Sequence, residues 1–118
     1  MKIEEWNAIT KDEETQVIAE EGDLCTVIDG VAFLVQRRND FNNIVCIRIE
    51  ENRNSILTTF CNFREWCKEN ELQYVRVEGI SHTYKMLYLV ARRCKCNVVY
   101  DMKESKEYNS HIYYIKVY

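Results

Sequence analysis

Proline is absent from this 118-residue chain and glycine occurs only three times. No stretch rich in Pro, Gly or Ser marks a linker, and neither an internal repeat nor a low-complexity segment is present. A single domain over residues 1–118 is therefore expected, long enough to bury its apolar surface around one core. No run of 18 apolar residues exists, so no membrane partner is expected. The opening MKIEEWNAITKDEE lacks the basic start and apolar block of a signal peptide, which predicts a cytoplasmic protein. Lys and Arg number 16 against 19 Asp and Glu, giving a net charge of −3. Without a basic stripe, nucleic acid is excluded as a general partner. No CxxC pair occurs, Cys94 and Cys96 are the only close cysteines, and His82 and His111 lie far apart in sequence. No metal site is expected from that spacing.

Cysteine itself is not scarce: Cys25, Cys46, Cys61, Cys67, Cys94 and Cys96 make six. Four of them sit inside apolar strand or helix patterns, where reduced cysteine acts as a small hydrophobe. With no secretory signal, all six are expected to be thiols. Apolar residues make up 47 % and charged residues 30 %, ordinary values for a globular protein. Ile, Asn, Lys, Tyr, Phe and Met account for 44 residues, and Gly, Ala, Arg and Pro for 15. The first set has AT-rich codons, as in an AT-rich bacterium or a bacteriophage.

The stretch from Asn43 to Cys94 frames the chain as strand, helix, strand, helix. Asn43–Glu50 carries Ile44, Val45, Ile47 and Ile49, apolar on both faces, which predicts a strand covered on two sides. Ser55 caps the helix that follows, with Ile56, Phe60, Phe63 and Cys67 forming one apolar stripe. Gln73–Glu78 sets Val75 and Val77 against Tyr74, Arg76 and Glu78, a strand with one wetter face. Gly79 is expected to break it. Ser81 caps a second helix, whose stripe is Leu87, Val90, Ala91 and Cys94. Two strands joined by one helix are most easily parallel neighbours with a right-handed crossover.

Around this frame, Ile3, Trp6 and Ile9 make residues 1–12 either a short strand or one amphipathic turn. Asp12 with Glu13 and Glu14 looks like a helix start, which Val17, Ile18 and Ala19 continue to Glu21 and Gly22 stops. Asp29-Gly30 between two β-rich runs predicts a hairpin of Leu24–Ile28 and Val31–Arg37. Turn residues at Asn39-Asp40 and Asn42-Asn43 follow. The last third predicts antiparallel strands Asn97–Lys103 and Ile112–Tyr118 around a polar loop, Glu104–Ser110. The fold class is thus α+β, a mixed central β-sheet with helices on both faces.

This order of elements over about residues 12–118 resembles the GNAT (Gcn5-related N-acetyltransferase) superfamily. Within Ser81-His-Thr-Tyr84-Lys-Met-Leu87-Tyr88-Leu-Val-Ala-Arg92-Arg93, Leu87 and Tyr88 match that family's N-x-x-A-x-x-L-Y-x-x-x-G-F run, whereas Ser81, Tyr84, Arg92 and Arg93 depart from it. The family's Q/R-x-x-G-x-G/A phosphate run is replaced by Glu50-Glu51-Asn52-Arg53-Asn54-Ser55, with two carboxylates and no glycine. Asn52 and Asn54 tolerate left-handed backbone, and Arg53 can meet a phosphate. The resemblance implies a fold in which the strand Asn43–Glu50 and the next strand part to admit acetyl-CoA. Its arm would run along Ile47 and Ile49, and its phosphates would meet Asn52, Arg53, Asn54 and Ser55. Tyr88 would protonate the leaving thiolate. The short chain and its composition resemble the reduced GNAT-like proteins of tailed bacteriophages, some of them virion components.

For taking a proton from an amine acceptor, small molecule or protein, Glu78 at a strand end is the candidate base. Desolvation there would raise its pKa, although a solvated carboxylate fits the same position. His82 is the other candidate, or an ordinary surface histidine. Tyr100, Tyr108, Tyr113, Tyr114 and Tyr118 crowd the C-terminal hairpin. They suit strand packing, with one face left for a protein partner or a second copy of the chain, a homo-oligomer. Three functions remain open: a GNAT-like N-acyltransferase, a catalytically inactive GNAT-fold interaction or virion protein, and an unrelated small α+β binding domain.

Overall fold

The computed structural model describes residues 1–13, 16–51, 54–80, 89–105 and 110–118. They form an α+β protein with six strands and, among the described residues, three helical stretches. The chain forms two compact units, Met1–Arg53 and Asn54–Tyr118.

In the first unit, α1 (Ile3–Ile9) settles the open choice at the N-terminus in favour of a helix. Seven residues are too few to hold a helix by themselves, so packing holds this one. Trp6 is 1 % exposed, and its indole N–H donates to the Val17 carbonyl at 2.8 Å. Among the described residues of 12–21 the expected helix does not form. Residues 16–20 instead run without regular structure alongside α1. Their backbone groups pair with side chains: the Ala19 N–H donates to Asn7 Oδ1 at 2.8 Å, and Asn7 Nδ2 donates to the Ala19 carbonyl at 3.2 Å. With β-branched Val17 and Ile18 already poor helix formers, these bonds outweigh the acidic helix-start signal. Gly22, at φ +93°, belongs to the turn before the first strand rather than to a helix end.

That turn is held by Asp23, 8 % exposed. Its carboxylate accepts from the Glu20 N–H at 3.0 Å, the Arg37 N–H at 3.1 Å and Arg38 Nη1 at 3.4 Å. Strands β1 (Leu24–Ile28) and β2 (Val31–Arg37) match the expected hairpin residue for residue. Ile28 faces Val31, so Asp29 and Gly30 alone make the loop, both at positive φ (52° and 78°). This is the type I′ turn that suits strand twist. β3 (Asn42–Arg48) pairs antiparallel with β2 and ends two residues before the expected Glu50. The doubly buried strand is β2 rather than β3, since Ala32, Phe33, Leu34 and Val35 are all buried. Ala32 and Leu34 pack with Trp6 and Ala19.

In the second unit, Ser55 caps α2 (Ile56–Glu69) as expected, its Oγ accepting the Thr58 N–H at 3.1 Å. Phe60, Phe63 and Cys67 are buried, but Ile56 at the start of the stripe is 40 % exposed. The helix ends with Glu71 at φ 58°, the Leu72 N–H reaching the Cys67 carbonyl at 2.8 Å and the Glu71 N–H that of Lys68 at 3.2 Å. Those are the two bonds of a Schellman motif. Residues 89–93 are helical and close the same way, with Lys95 at φ 64° and the Cys96 N–H on the Ala91 carbonyl at 3.0 Å.

β4 (Tyr74–Ile80) runs through Gly79, which was expected to end it, because Gly79 stays in register with His111. β5 (Asn97–Ser105) and β6 (Ser110–Lys116) form the expected antiparallel hairpin, with β6 lying between β5 and β4. Val75, Val77, Tyr113 and Ile115 share one face of the β4–β6 pair and are buried, as are Phe60 and Phe63 of α2; Ile112, on the other face, is buried too. Cys61 and Cys94 form a disulfide, Cα atoms 5.5 Å apart, which corrects the expectation of six thiols. Cysteines 33 positions apart leave no local spacing signal. Cys25, Cys46, Cys67 and Cys96 are free.

Two stability changes follow. Asp23→Ala strands two amide donors in a part-buried turn and should lower unfolding free energy by about 2–3 kcal/mol in urea titration. A loss under about 0.5 kcal/mol would mean that the turn holds without it. Conversely, Glu71→Gly relieves a left-handed residue at the helix end and should raise stability by about 0.5–1 kcal/mol.

Candidate functional site

The candidate residues divide between the units. In the first, Ile47 is half-buried and packs against the core that holds Trp6, Ala19, Ala32 and Leu34. Ile49, 37 % exposed, donates its N–H to the Gly30 carbonyl at 2.9 Å, and Glu50 donates to the same oxygen at 3.2 Å. The Glu50 amide is therefore engaged by the hairpin and turned away from any anion. A side chain at Gly30 would meet Glu50 Cγ and its carbonyl oxygen, each at 2.9 Å. Asn52 and Arg53 lie outside the described residues.

In the second unit, Asn54 and Ser55 stand at the start of α2. The Ser55 hydroxyl caps that helix and shares a further bond of 3.0 Å with Thr58 Oγ1. Thr59 donates its N–H to the Ser55 carbonyl at 3.0 Å. The amides that a helix leaves over in its first turn are then those of Ile56 and Leu57. Glu78 lies on the wetter face of β4, its side chain 40 % exposed, and pairs with Arg76 Nη2 at 3.0 Å. It is solvated rather than desolvated. His82 and Tyr88 lie outside the described residues.

The C-terminal tyrosines also divide. Tyr113 is 2 % exposed and belongs to the core, while Tyr114 is half-buried and faces Arg76 across the β4–β6 pair. Tyr74, opposite Lys116, is 51 % exposed. Tyr74, Arg76, Glu78, Tyr114 and Lys116 thus share a polar, aromatic sheet face, which alternation of residues had indicated for β4.

Sequence reasoning missed one feature near Ile47. A cleft of about 210 Å³ is lined by Trp6, Thr10, Glu13, Val17, Val45, Cys46 and Ile47. It is smaller than the roughly 300–1,000 Å³ usual for ligand pockets. β3 gives it one wall, and the rest comes from α1 and the irregular segment after it, which no periodicity announces. Cys46 is exposed, yet crowding around its sulfur pushes its thiol pKa up by desolvation. A protonated thiol is a poor nucleophile.

The other free thiols behave alike. Burial raises Cys25, with the N-terminal amine opposing and Asp23 and Glu4 adding to the shift. Burial also raises Cys96, against the charge and hydrogen bond of Arg64. Cys67, fully buried, is pushed up to about 12 by burial and then by the nearby Cys96. Among the described residues, no three His, Cys, Asp or Glu are grouped to hold a metal ion, and no helix is long and apolar enough to cross a membrane. Comparison with protein-family models, with curated proteins and with solved structures finds no match to this chain.

Cys67 gives a pH dependence. Folded, it holds its proton to about 12, while the unfolded thiol releases it near 9.0. Its contribution to stability is complete below pH 9.0 and is lost as pH rises towards 12. Between those values the wild-type chain should lose about 1.4 kcal/mol per pH unit more than Cys67→Ala in denaturant titrations. Parallel slopes would show that the thiol ionises freely in the fold.

Proposed function

We propose that this chain is a small GNAT-like N-acyltransferase that moves an acetyl group to an amine acceptor. The observation that carries the reading is the order of its elements. A β1–β2 hairpin, β3, α2, β4, a helical stretch and the β5–β6 hairpin follow one another as they do in the resemblance drawn from sequence. Acetyl-CoA would supply the acetyl thioester.

The fit of the chain to that group is partial. At α2, a helix of 14 residues, the Ile56 and Leu57 amides and the positive end of the dipole suit a phosphate. The Ser55 hydroxyl is already bonded within the helix, and the run from Glu50 to Ser55 holds two carboxylates and no glycine. Ile47 and Ile49 would give the arm an apolar wall, with Asn52, Arg53 and Asn54 bordering the phosphates. Glu78 or His82 would take the proton from the amine nitrogen, and Tyr88 would give one to the departing sulfur. Arg76, 3.0 Å from Glu78, would hold that carboxylate in place.

A second reading keeps the frame and drops the chemistry. Two observations favour it: the Glu50 amide is bonded to Gly30, and the face bearing Tyr74, Arg76, Glu78 and Tyr114 combines exposed aromatic and charged groups. Such a face suits a protein partner or a second copy of the chain. The protein would then be a GNAT-fold interaction module, in a host cytoplasm or a phage virion. The remaining reading, a small binding domain of unrelated ancestry, has no observation in its particular favour.

Thermal melts with acetyl-CoA separate the readings. At about 100 times its Kd a ligand adds about 2.7 kcal/mol, a rise of several degrees for a domain of this size. No rise at millimolar acetyl-CoA would remove the acyltransferase. Given a rise, Tyr88→Phe and Glu78→Gln should each lower turnover while leaving the rise intact. Unchanged turnover would strip that residue of its role.

A further inference from the structure

The Cys61–Cys94 bond ties α2 to the residue that follows the helical stretch 89–93, across 33 positions of chain. Cysteines that serve only to staple a small fold are normally used in pairs. Here one pair is bonded and four thiols remain, Cys46 among them exposed. We propose that this disulfide is a reversible clamp between α2 and residues 89–93, opened by a thiol of the glutathione class and re-formed between the same two cysteines. The proposal is independent of the acyltransferase reading.

Access decides which sulfur is attacked. Cys61 is half-buried, whereas Cys94 is 6 % exposed. An incoming thiolate therefore reaches Sγ of Cys61, forming a mixed disulfide there and releasing Cys94 as a thiolate that takes a proton. A second thiol attacks the mixed disulfide, frees Cys61 as a thiol and leaves as the oxidised small disulfide. Two electrons pass from two small thiols to the protein. The oxidised small disulfide reverses both steps.

Fidelity depends on the neighbours. Cys96 lies closest in the chain, its Sγ 4.0 Å from the Cys94 carbonyl, and Cys67 is near enough to Cys96 for their charges to interact. Either could capture the wrong sulfur, but exchange requires a thiolate. Burial raises both thiols, so both stay protonated at neutral pH. Cys96 is also held on the Val117 carbonyl at 3.4 Å. The clamp can open without scrambling.

Reclosure depends on what remains when the bond is gone. The Cys94 N–H stays on the Val90 carbonyl at 3.0 Å and the Cys96 N–H on that of Ala91 at 3.0 Å. Phe60, Phe63, Val90 and Ala91 stay buried in the same unit, and Cys94 Sγ lies 3.6 Å from the Leu57 carbonyl of α2. These contacts hold the two cysteines near their Cα separation of 5.5 Å, well inside the range that permits a disulfide.

The test uses the full chain, oxidised, in native buffer with excess reduced glutathione, followed by iodoacetamide and peptide mass spectrometry. Cys61 should become alkylated while Cys67 and Cys96 stay unmodified. The melting temperature should fall by roughly 10 °C, as removal of a cross-link over a loop of this length implies. Amide exchange should quicken in residues 56–69 and 89–94 and stay constant in 24–48. Oxidised glutathione should restore the original bond and melt. Cys61→Ser should melt like the reduced protein and ignore glutathione. The clamp is overturned if Cys61 reacts only in denaturant, or if reoxidation pairs Cys67 or Cys96. It is equally overturned if Cys61→Ser cannot fold, since the bond would then be a fixed staple.

Discussion

A two-residue turn leaves a hairpin no freedom of register, and in the first unit that turn is Asp29-Gly30. Facing Ile28 with Val31 commits Ala32 and Leu34 to the side where Trp6 and Ala19 pack. Phe33 and Val35 are thereby committed to the other. A slip of one residue would exchange the two sets and put Phe33, far larger than Ala32, against the Trp6 ring. Gly30 then acts a second time, because its carbonyl receives the amides of Ile49 and Glu50. Its missing Cβ is the space that Glu50 occupies. One glycine thus sets where the hairpin turns and where β3 ends.

The second unit solves a different problem, how to leave a helix and enter a strand within three or four residues. It uses the same device twice. The carbonyls of Cys67 and Ala91 accept from Leu72 and Cys96, and all four residues are buried. Each motif requires a left-handed residue, filled by Glu71 and Lys95 where glycine would be easiest. With only three glycines in the chain, these positions accept strain in return for a sharp exit. The motifs are linked as well, since Cys67 of the first feels the charge of Cys96 in the second.

Most strands were legible because period-two alternation and a two-residue turn are local facts. β1 and β2 were readable to the residue, and so was Ser55 as the cap of α2. What failed was non-local. The segment 16–20 is fixed by bonds to Trp6 and Asn7, eleven and twelve positions away, which no window along the chain contains. Gly79 looked like a terminator because glycine weakens a strand, but cross-strand pairing with β6 outweighs that local preference. The candidate site was legible in part. Ser55 and Glu78 stand at the helix start and on the strand expected of them, while the bond that occupies one hydroxyl and the exposure of the other carboxylate are properties of the folded chain.

That exposure and that capping bear on how an anion would be held at α2. A helix start favours an exposed negative charge by about 0.3–1 kcal/mol. A carboxylate about 4 Å away in water opposes it by a similar amount, about 1 kcal/mol. A carboxylate brought that close would therefore cancel what the dipole offers, so an exposed helix start holds an anion only weakly by charge. On the acyltransferase reading, apolar contact along Ile47 and Ile49 must then supply the larger share. Binding of that kind would respond weakly to salt, since screening diminishes the attraction and the repulsion together.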